Sequence, residues 1–195
     1  VVDPIPGSCA AQVATFHCRD WSVPGALDDL LAWADVVTYE SESIPVALLE
    51  SIASQITLYP PVLAQRLCGD RLIEKRTLSS LGIPVAPHWE VNSVADLKKA
   101  VVTLGVPAIL KWRTQGYDGK GQWRLDSKSD LATLWRAAEA RPSILEAMVP
   151  FSREVSLVAA RDRDGEVVCY SLTENVHRQG ILHSSRPLRS DPLQD

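Results

Sequence analysis

No apolar run in this sequence approaches the roughly 18 residues that a membrane-crossing helix needs. The opening Val1-Val2-Asp3-Pro4 lacks both the basic start and the apolar stretch of a signal peptide. There is no dense block of lysine and arginine, and the formal net charge is −4. Neither nucleic acid nor a membrane surface is therefore expected as a partner. The four cysteines, Cys9, Cys18, Cys68 and Cys169, are scattered without a C-x-x-C pair, and the four histidines form no cluster at metal-ligand spacing. The cysteines are expected as small buried or half-buried residues of a reducing compartment, without a function. Internal repeats and low-complexity tracts are also missing. These absences lead to the expectation of a cytoplasmic globular protein. The composition agrees: 195 residues, 46% hydrophobic and 23% charged, suit one large domain or two small ones.

The first part of the chain reads as an α/β unit. Val1-Val2-Asp3 ends a strand, and Pro4 to Gly7 make a turn. Apolar residues at helical spacing predict a helix over Pro24 to Ala34 and another over Val46 to Ala53. Strands are predicted at Asp35 to Tyr39 and Ile56 to Tyr59, and Pro60-Pro61 marks the domain boundary. An α/β sheet that opens at the end of a strand reads as truncated. Beyond Pro61, Val62 to Leu81 is mostly helical with a break near Gly69-Asp70, and Gly82 and Pro84 stop it. Ser93 with Asp96 opens a helix to Leu104, and Ser127 with Asp130 opens one to about Ala140. Ala108 to Lys111, Gln122 to Leu125, Ile144 to Met148, Arg153 to Ala160 and Val167 to Leu172 read as strands. Asp162-Arg163-Asp164-Gly165 turns between the last two.

Chemistry concentrates between Lys111 and Gln122. Gly116, Gly119 and Gly121 alternate with polar residues between two strands, and Lys111 and Lys120 bracket them with positive charge. Glycines let backbone N–H groups approach an anion closely, as a phosphate cradle requires. The spacing is not that of a Walker loop, and the segment does not open a helix. Two readings fit these residues alone: a phosphate cradle, or a flexible hairpin with solvated lysines. Glu146 to Val149 ends a strand whose backbone can read an adenine, and Glu154 follows as a carboxylate suited to ribose hydroxyls. Alone, each acid is more often a solvated surface group. Asn175 to Gly180 gathers polar groups just past a strand, where α/β proteins often place their sites, and His177 alone also fits a structural histidine.

Taken together, these residues resemble the ATP-grasp superfamily and, within it, the 5-(carboxyamino)imidazole ribonucleotide synthases. The resemblance runs from Asp3-Pro4 through Asp35 to Glu40, Asp70-Arg71 with Glu74-Lys75, and Gly82 to Pro87. It continues through Gly116-Tyr117-Asp118-Gly119-Lys120-Gly121-Gln122, Arg153 to Ser156, Glu174 to Arg178, and Gly180 to Leu182. The glycine string is highly specific to this family, and Gly82-Ile83-Pro84 occurs widely in the superfamily.

The resemblance implies an α/β (α+β) fold, with a partial Rossmann-like pre-ATP-grasp domain over residues 1–61. An ATP-grasp nucleotide-binding domain, incomplete at its C-terminal end, would follow over residues 62–195. It implies that Arg71 and Lys111 hold ATP phosphates and that Gly116, Tyr117, Asp118, Gly119, Lys120, Gly121 and Gln122 close over them. Glu146, Ala147, Met148 and Val149 would read adenine, Glu154 the ribose, and His177 would line the same site. Tyr117, Asp118 and Lys120 would stand at the catalytic junction with the second substrate, and Glu40 or Glu42 would reach that substrate. The implied reaction is the ATP-dependent carboxylation of aminoimidazole ribonucleotide by bicarbonate in purine biosynthesis, with magnesium as companion of ATP and a homodimer as the full-length state. The family's magnesium-binding Glu/Asn pair is expected downstream, so no metal ligand is assigned within the chain, and the fragment alone is expected to be inactive. Gln115 stands where a glycine is usual. The alternatives are another ATP-grasp carboxylate-amine ligase or a non-catalytic nucleotide-binding module.

Overall fold

The protein's structure, a computed structural model, describes residues 1–116, 119–178 and 180–188. Contacts divide the chain into two compact units, Val1–Leu81 and Gly82–Asp195. In the first, β1 (Val2–Asp3) lies parallel to β2 (His17–Cys18). After α1 (Asp28–Leu31), β3 (Val37–Thr38) crosses through α2 (Val46–Ala53) to its parallel neighbour β4 (Leu58–Tyr59). Parallel neighbours need such a crossover, and a helix provides it here. Leu49 and Ile52, three residues apart on the buried face of α2, form a core with Leu58, and Leu27, Leu31, Val37 and Ile44 pack around it. Next come α3 (Val62–Cys68) and α4 (Arg71–Ser80). Asp70 caps α4, its Oδ1 accepting the Leu72 N–H at 2.9 Å. Because α3 packs against both α2 and α4, the first unit runs on past Pro60-Pro61 to Leu81.

The second unit holds β5 (His88–Val91), α5 (Val94–Leu104), β6 (Ala108–Trp112), β7 (Gln122–Leu125), α6 (Leu131–Ala137) and β8 (Ser143–Ala147). Its four-stranded sheet runs β5-β8-β6-β7 with every neighbour antiparallel. Central β8 is buried from Ser143 to Glu146, and β6 buries alternate residues Ala108 and Leu110. Val91, Leu97, Ala100, Leu125, Trp135, Ala138 and Leu145 complete the core with them. Beyond it lie β9 (Glu154–Ser156), β10 (Ala159–Arg161), β11 (Val167–Cys169), β12 (Thr173–Arg178) and β13 (Ile181–Pro187). They make a sheet in the order β13-β12-β9 and a separate β10-β11 hairpin. Among the described residues, no helix is long and apolar enough to cross a membrane.

Ser93 caps α5 reciprocally: its Oγ accepts the Asp96 N–H at 3.1 Å and donates to Asp96 Oδ2 at 2.8 Å. That hydroxyl, chiefly, holds the Asp96 carboxyl below its ordinary range. Ser93→Ala is expected to lower stability by about 1 kcal/mol, measured by urea unfolding near neutral pH. A carboxyl with a depressed pKa stabilises the fold above its unfolded pKa, and that contribution is lost as pH falls through the folded one. The difference between Ser93→Ala and the parent should therefore shrink toward low pH.

Several expectations need correction. The first helix covers only Asp28–Leu31, because residues 23–28 take successive turns, with Ala26 N–H bonded to Val23 O and Asp28 N–H to Gly25 O. The helix expected from Ser127 starts after Asp130, whose Oδ1 accepts the Ala132 N–H at 3.0 Å, while Asp126 holds Ser127 to Ser129 in a turn. The single strand over Arg153 to Ala160 is two, β9 and β10, which pair with different partners. β2, β5, β12 and β13 answer to no predicted strand. All four cysteines are exposed rather than buried, since the short elements carrying Cys18 and Cys169 lie at the surface.

Candidate functional site

Lys111 lies near the end of β6, and its Nζ donates to Glu146 Oε2 at 2.8 Å. The register places Ile109 opposite Glu146 and Lys111 opposite Ile144, so the pair is diagonal across adjacent strands. Glu146 keeps only 10% of its side-chain surface and Lys111 26%, which makes this a largely desolvated charge pair at the root of the glycine loop. The expected adenine reader follows directly. The Ala147 N–H already bonds Pro87 O, and the Met148 N–H bonds Pro107 O. Of the donors in this segment, Val149 N–H is the one left to address a base. Met148 and Val149 are exposed.

The loop is closed at its base by the Trp112 N–H, which donates to Gly121 O at 3.0 Å, and by the β6–β7 pairing of Lys111 with Gln122. Gly116, Gly119 and Gly121 all take positive φ. Lys120 is exposed. Tyr117 and Asp118 lie outside the described residues. Gly180, in the turn between β12 and β13, comes against this loop: a side-chain carbon there would stand 3.0 Å from Gly119 Cα and 2.9 Å from Gln122 Nε2.

The same β12–β13 sheet carries the second pair. His177 Nδ1 lies 2.8 Å from Glu154 Oε2, with Asn175 directly opposite Glu154 and a register shift between Val176 and His177. His177 and Glu154 retain 36% and 42% of their side-chain surface, so the pair faces solvent. Asn175 and His177 therefore stand in a strand, not in a loop past one. Arg71, Glu40 and Glu42 belong to the first unit. Arg71 opens α4. Glu40 lines an apolar cavity of about 900 Å³ together with Tyr39, Ile44 and Leu48. Glu42 is exposed, and its carbonyl accepts from Gln65 Nε2. The second unit thus brings together Lys111 with Glu146, Glu154 with His177, and the loop with the β12–β13 turn. Sequence reasoning missed Glu90, Arg113 and Arg141, which hold the loop's entry: Arg113 Nη1 donates to Glu90 Oε1 at 2.9 Å and Arg141 Nη2 to Gln115 Oε1 at 2.8 Å. No spacing signal marks such long-range partners. Among the described residues, no three acidic, histidine or cysteine side chains gather to hold a metal ion.

Residues 76–191 match the family model of the ATP-grasp domain, and residues 1–67 that of the ribonucleotide synthetase preATP-grasp domain. An N5-carboxyaminoimidazole ribonucleotide synthase of Pseudomonas aeruginosa is 40% identical over 193 residues, 99% of this chain and 54% of the relative. The crystal structure of N5-carboxyaminoimidazole synthetase from Staphylococcus aureus, complexed with ADP, matches with a TM-score of 0.92 and 34% identity, over 99% of this chain and 52% of that one. The synthase from Aspergillus clavatus, in complex with ADP and 5-aminoimidazole ribonucleotide, matches with a TM-score of 0.79 and 26% identity, over 96% and 50%. The chain spans about half the length of these relatives. With both domain models matched and 40% identity to such a synthase over 99% of its length, the chain belongs to the N5-carboxyaminoimidazole ribonucleotide synthases of the ATP-grasp superfamily.

Proposed function

We propose that this chain supplies the nucleotide-binding part of a cytoplasmic, homodimeric ligase that uses ATP to carboxylate 5-aminoimidazole ribonucleotide in purine biosynthesis. The observation that carries the reading is the Lys111–Glu146 pair at the root of a glycine loop, in a chain of this family. Lys111 and Arg71 hold phosphates, and the amides of Gly116 to Gln122 close over them. Glu146 to Val149 read the adenine, with Val149 N–H as the donor. Glu154 takes the ribose hydroxyls, and its bond to His177 Nδ1 orients the imidazole toward the nucleotide. Tyr117, Asp118 and Lys120 are assigned to the catalytic step, and Glu40 or Glu42 to binding of the second substrate.

In the reaction, a bicarbonate oxygen attacks the γ-phosphorus of ATP and the bond to ADP breaks, giving carboxyphosphate. The ribonucleotide's amine nitrogen then attacks the carboxyl carbon, phosphate leaves, and the amine loses a proton. Carboxyphosphate hydrolyses readily, so the chain's task is to position the reactants, neutralise charge and exclude water. Magnesium belongs to the same proposal as ATP's companion. Among the described residues no three acidic, histidine or cysteine side chains gather to hold it.

The test uses a protein extended to the relatives' length, with coupled detection of ADP and product identification by mass. ADP release should require bicarbonate and 5-aminoimidazole ribonucleotide together and should ignore biotin. Equal turnover with biotin, or none with the ribonucleotide, would move the chain to another ATP-grasp ligase.

A further inference from the structure

We propose that Arg141 is a positioning residue that latches the entry of the glycine loop through Gln115 and Trp112. The functional consequence of the latch rests on the reading of that loop as a phosphate cradle. Among the described residues, the non-glycine residues with left-handed φ are Gln115 (+63°), Glu139 (+56°) and Ala140 (+50°). Such conformations are unfavourable for L-residues and persist where their surroundings enforce them. One side chain links all three. Arg141 directly follows Glu139-Ala140, its Nη2 donates to Gln115 Oε1 at 2.8 Å, and its guanidinium carbon lies 4.2 Å from the centroid of the Trp112 ring. A planar, permanently charged fork can stack flat on a ring while donating from its edge.

The turn that carries Arg141 is itself anchored. Ala140 N–H bonds Trp135 O, and Arg141 N–H bonds Ala138 O. From the other side, Trp112 Nε1 donates to Ala138 O at 2.9 Å and Arg113 N–H to Pro142 O at 3.1 Å. Residues 112–115 are thus held at successive points by residues 138–142, and Gln115 is the last point before the loop departs. Its path sets that of Gly116, where a side-chain carbon would stand only 2.8 Å from the Lys120 carbonyl oxygen. The loop's two limbs touch there. Arg141 therefore pre-sets the loop before any ligand arrives, which reduces the ordering that binding must accomplish.

Trypsin reads this contact, because cleavage after Lys120 engages the carbonyl that lies where the two limbs of the loop meet. The full 195-residue chain would be digested under native conditions as the parent, Arg141→Ala, Gln115→Asn and the double variant, with cleavage after each lysine followed by mass. Asparagine tolerates left-handed φ but is one methylene too short for Arg141. Each single variant should speed cleavage after Lys120 by roughly three- to tenfold, as loss of one hydrogen bond allows. The double variant should not exceed the faster single, because the two residues form one contact. Cleavage after Lys98 and Lys99 in α5 should stay unchanged, separating a freed loop from a lost fold. If Arg141→Ala disturbs those sites, Gln115→Asn alone decides. Parent-like cleavage after Lys120 in Gln115→Asn, or multiplicative effects in the double variant, would overturn the latch. ADP added to the parent extended to the relatives' length should slow cleavage after Lys120. Failure of that protection alone would count against the nucleotide reading and leave the latch standing.

Discussion

Lys111→Ala is expected to weaken ATP binding by roughly 10- to 150-fold, the loss of one charge-assisted contact of about 1.5–3 kcal/mol. The structure adds a complication that the position alone did not suggest. Lys111 is also the charge partner of Glu146, a carboxylate with 10% of its surface left. Removing the lysine thus strips a contact from the ligand and an ion pair from the sheet, and reduced binding could come from either. Two further variants separate them. Lys111→Met with Glu146→Gln removes both charges, so the fold should recover while affinity stays low. Glu146→Gln alone frees the ammonium from its carboxylate, so affinity for ATP should hold or rise. Calorimetric titration of the protein extended to the relatives' length, with urea unfolding beside it, reads both quantities. Unchanged affinity in the double variant, with the fold intact, would remove Lys111 from the phosphate site.

The sequence made parts of this legible and withheld others for physical reasons. α2 occupies the predicted Val46–Ala53 because its apolar residues repeat at helical spacing and Leu49 and Ile52 do become buried. The β10–β11 hairpin stands where Asp162 to Gly165 predict it, since Asp162 Oδ1 accepts the Asp164 and Glu166 N–H groups and builds the turn locally. β2 is two residues long and pairs with β1, too short for any local period to reveal it. β13 is exposed along its whole length and has no apolar alternation. It is held by its ladder and by cross-strand contacts such as Ser185 with Asn175 and Arg186 with Glu174.

The site divides in the same way. Lys111 and the glycines are visible in one dimension because charge and backbone freedom are local properties. That Lys111 meets Glu146, and Glu154 meets His177, depends on strand register over separations of 35 and 23 residues. The resemblance to a family assigned these residues to one ligand; only the fold shows which of them touch before a ligand arrives.

Gly121→Ala is expected to destabilise the second unit by about 2–4 kcal/mol and to abolish nucleotide binding, through a clash as well as through backbone conformation. Gly121 sits at φ +67°, and a Cβ there would stand 2.3 Å from Trp112 Cε3 and 2.9 Å from Cδ2. The ring has little room to retreat. Its Nε1 donates to Ala138 O, Trp123 meets it edge-on with centroids 5.4 Å apart, and Arg141 lies over it. The backbone must yield instead, and with it the Trp112 N–H to Gly121 O bond that closes the loop's base. Gly82→Ala is the control, because Gly82 has φ +76° but nothing within 4 Å of the added carbon. It should cost only the left-handed backbone term of about 1–2 kcal/mol. Trp112→Ala in the Gly121→Ala background should recover part of the clash energy, a coupling that a purely conformational effect would not produce. Urea unfolding of the parent, Gly121→Ala, Gly82→Ala, Trp112→Ala and the Trp112→Ala/Gly121→Ala double variant measures each quantity. Equal losses in Gly121→Ala and Gly82→Ala, with no coupling to Trp112, would mean that the indole can move aside and that the loop's base is softer than its packing indicates.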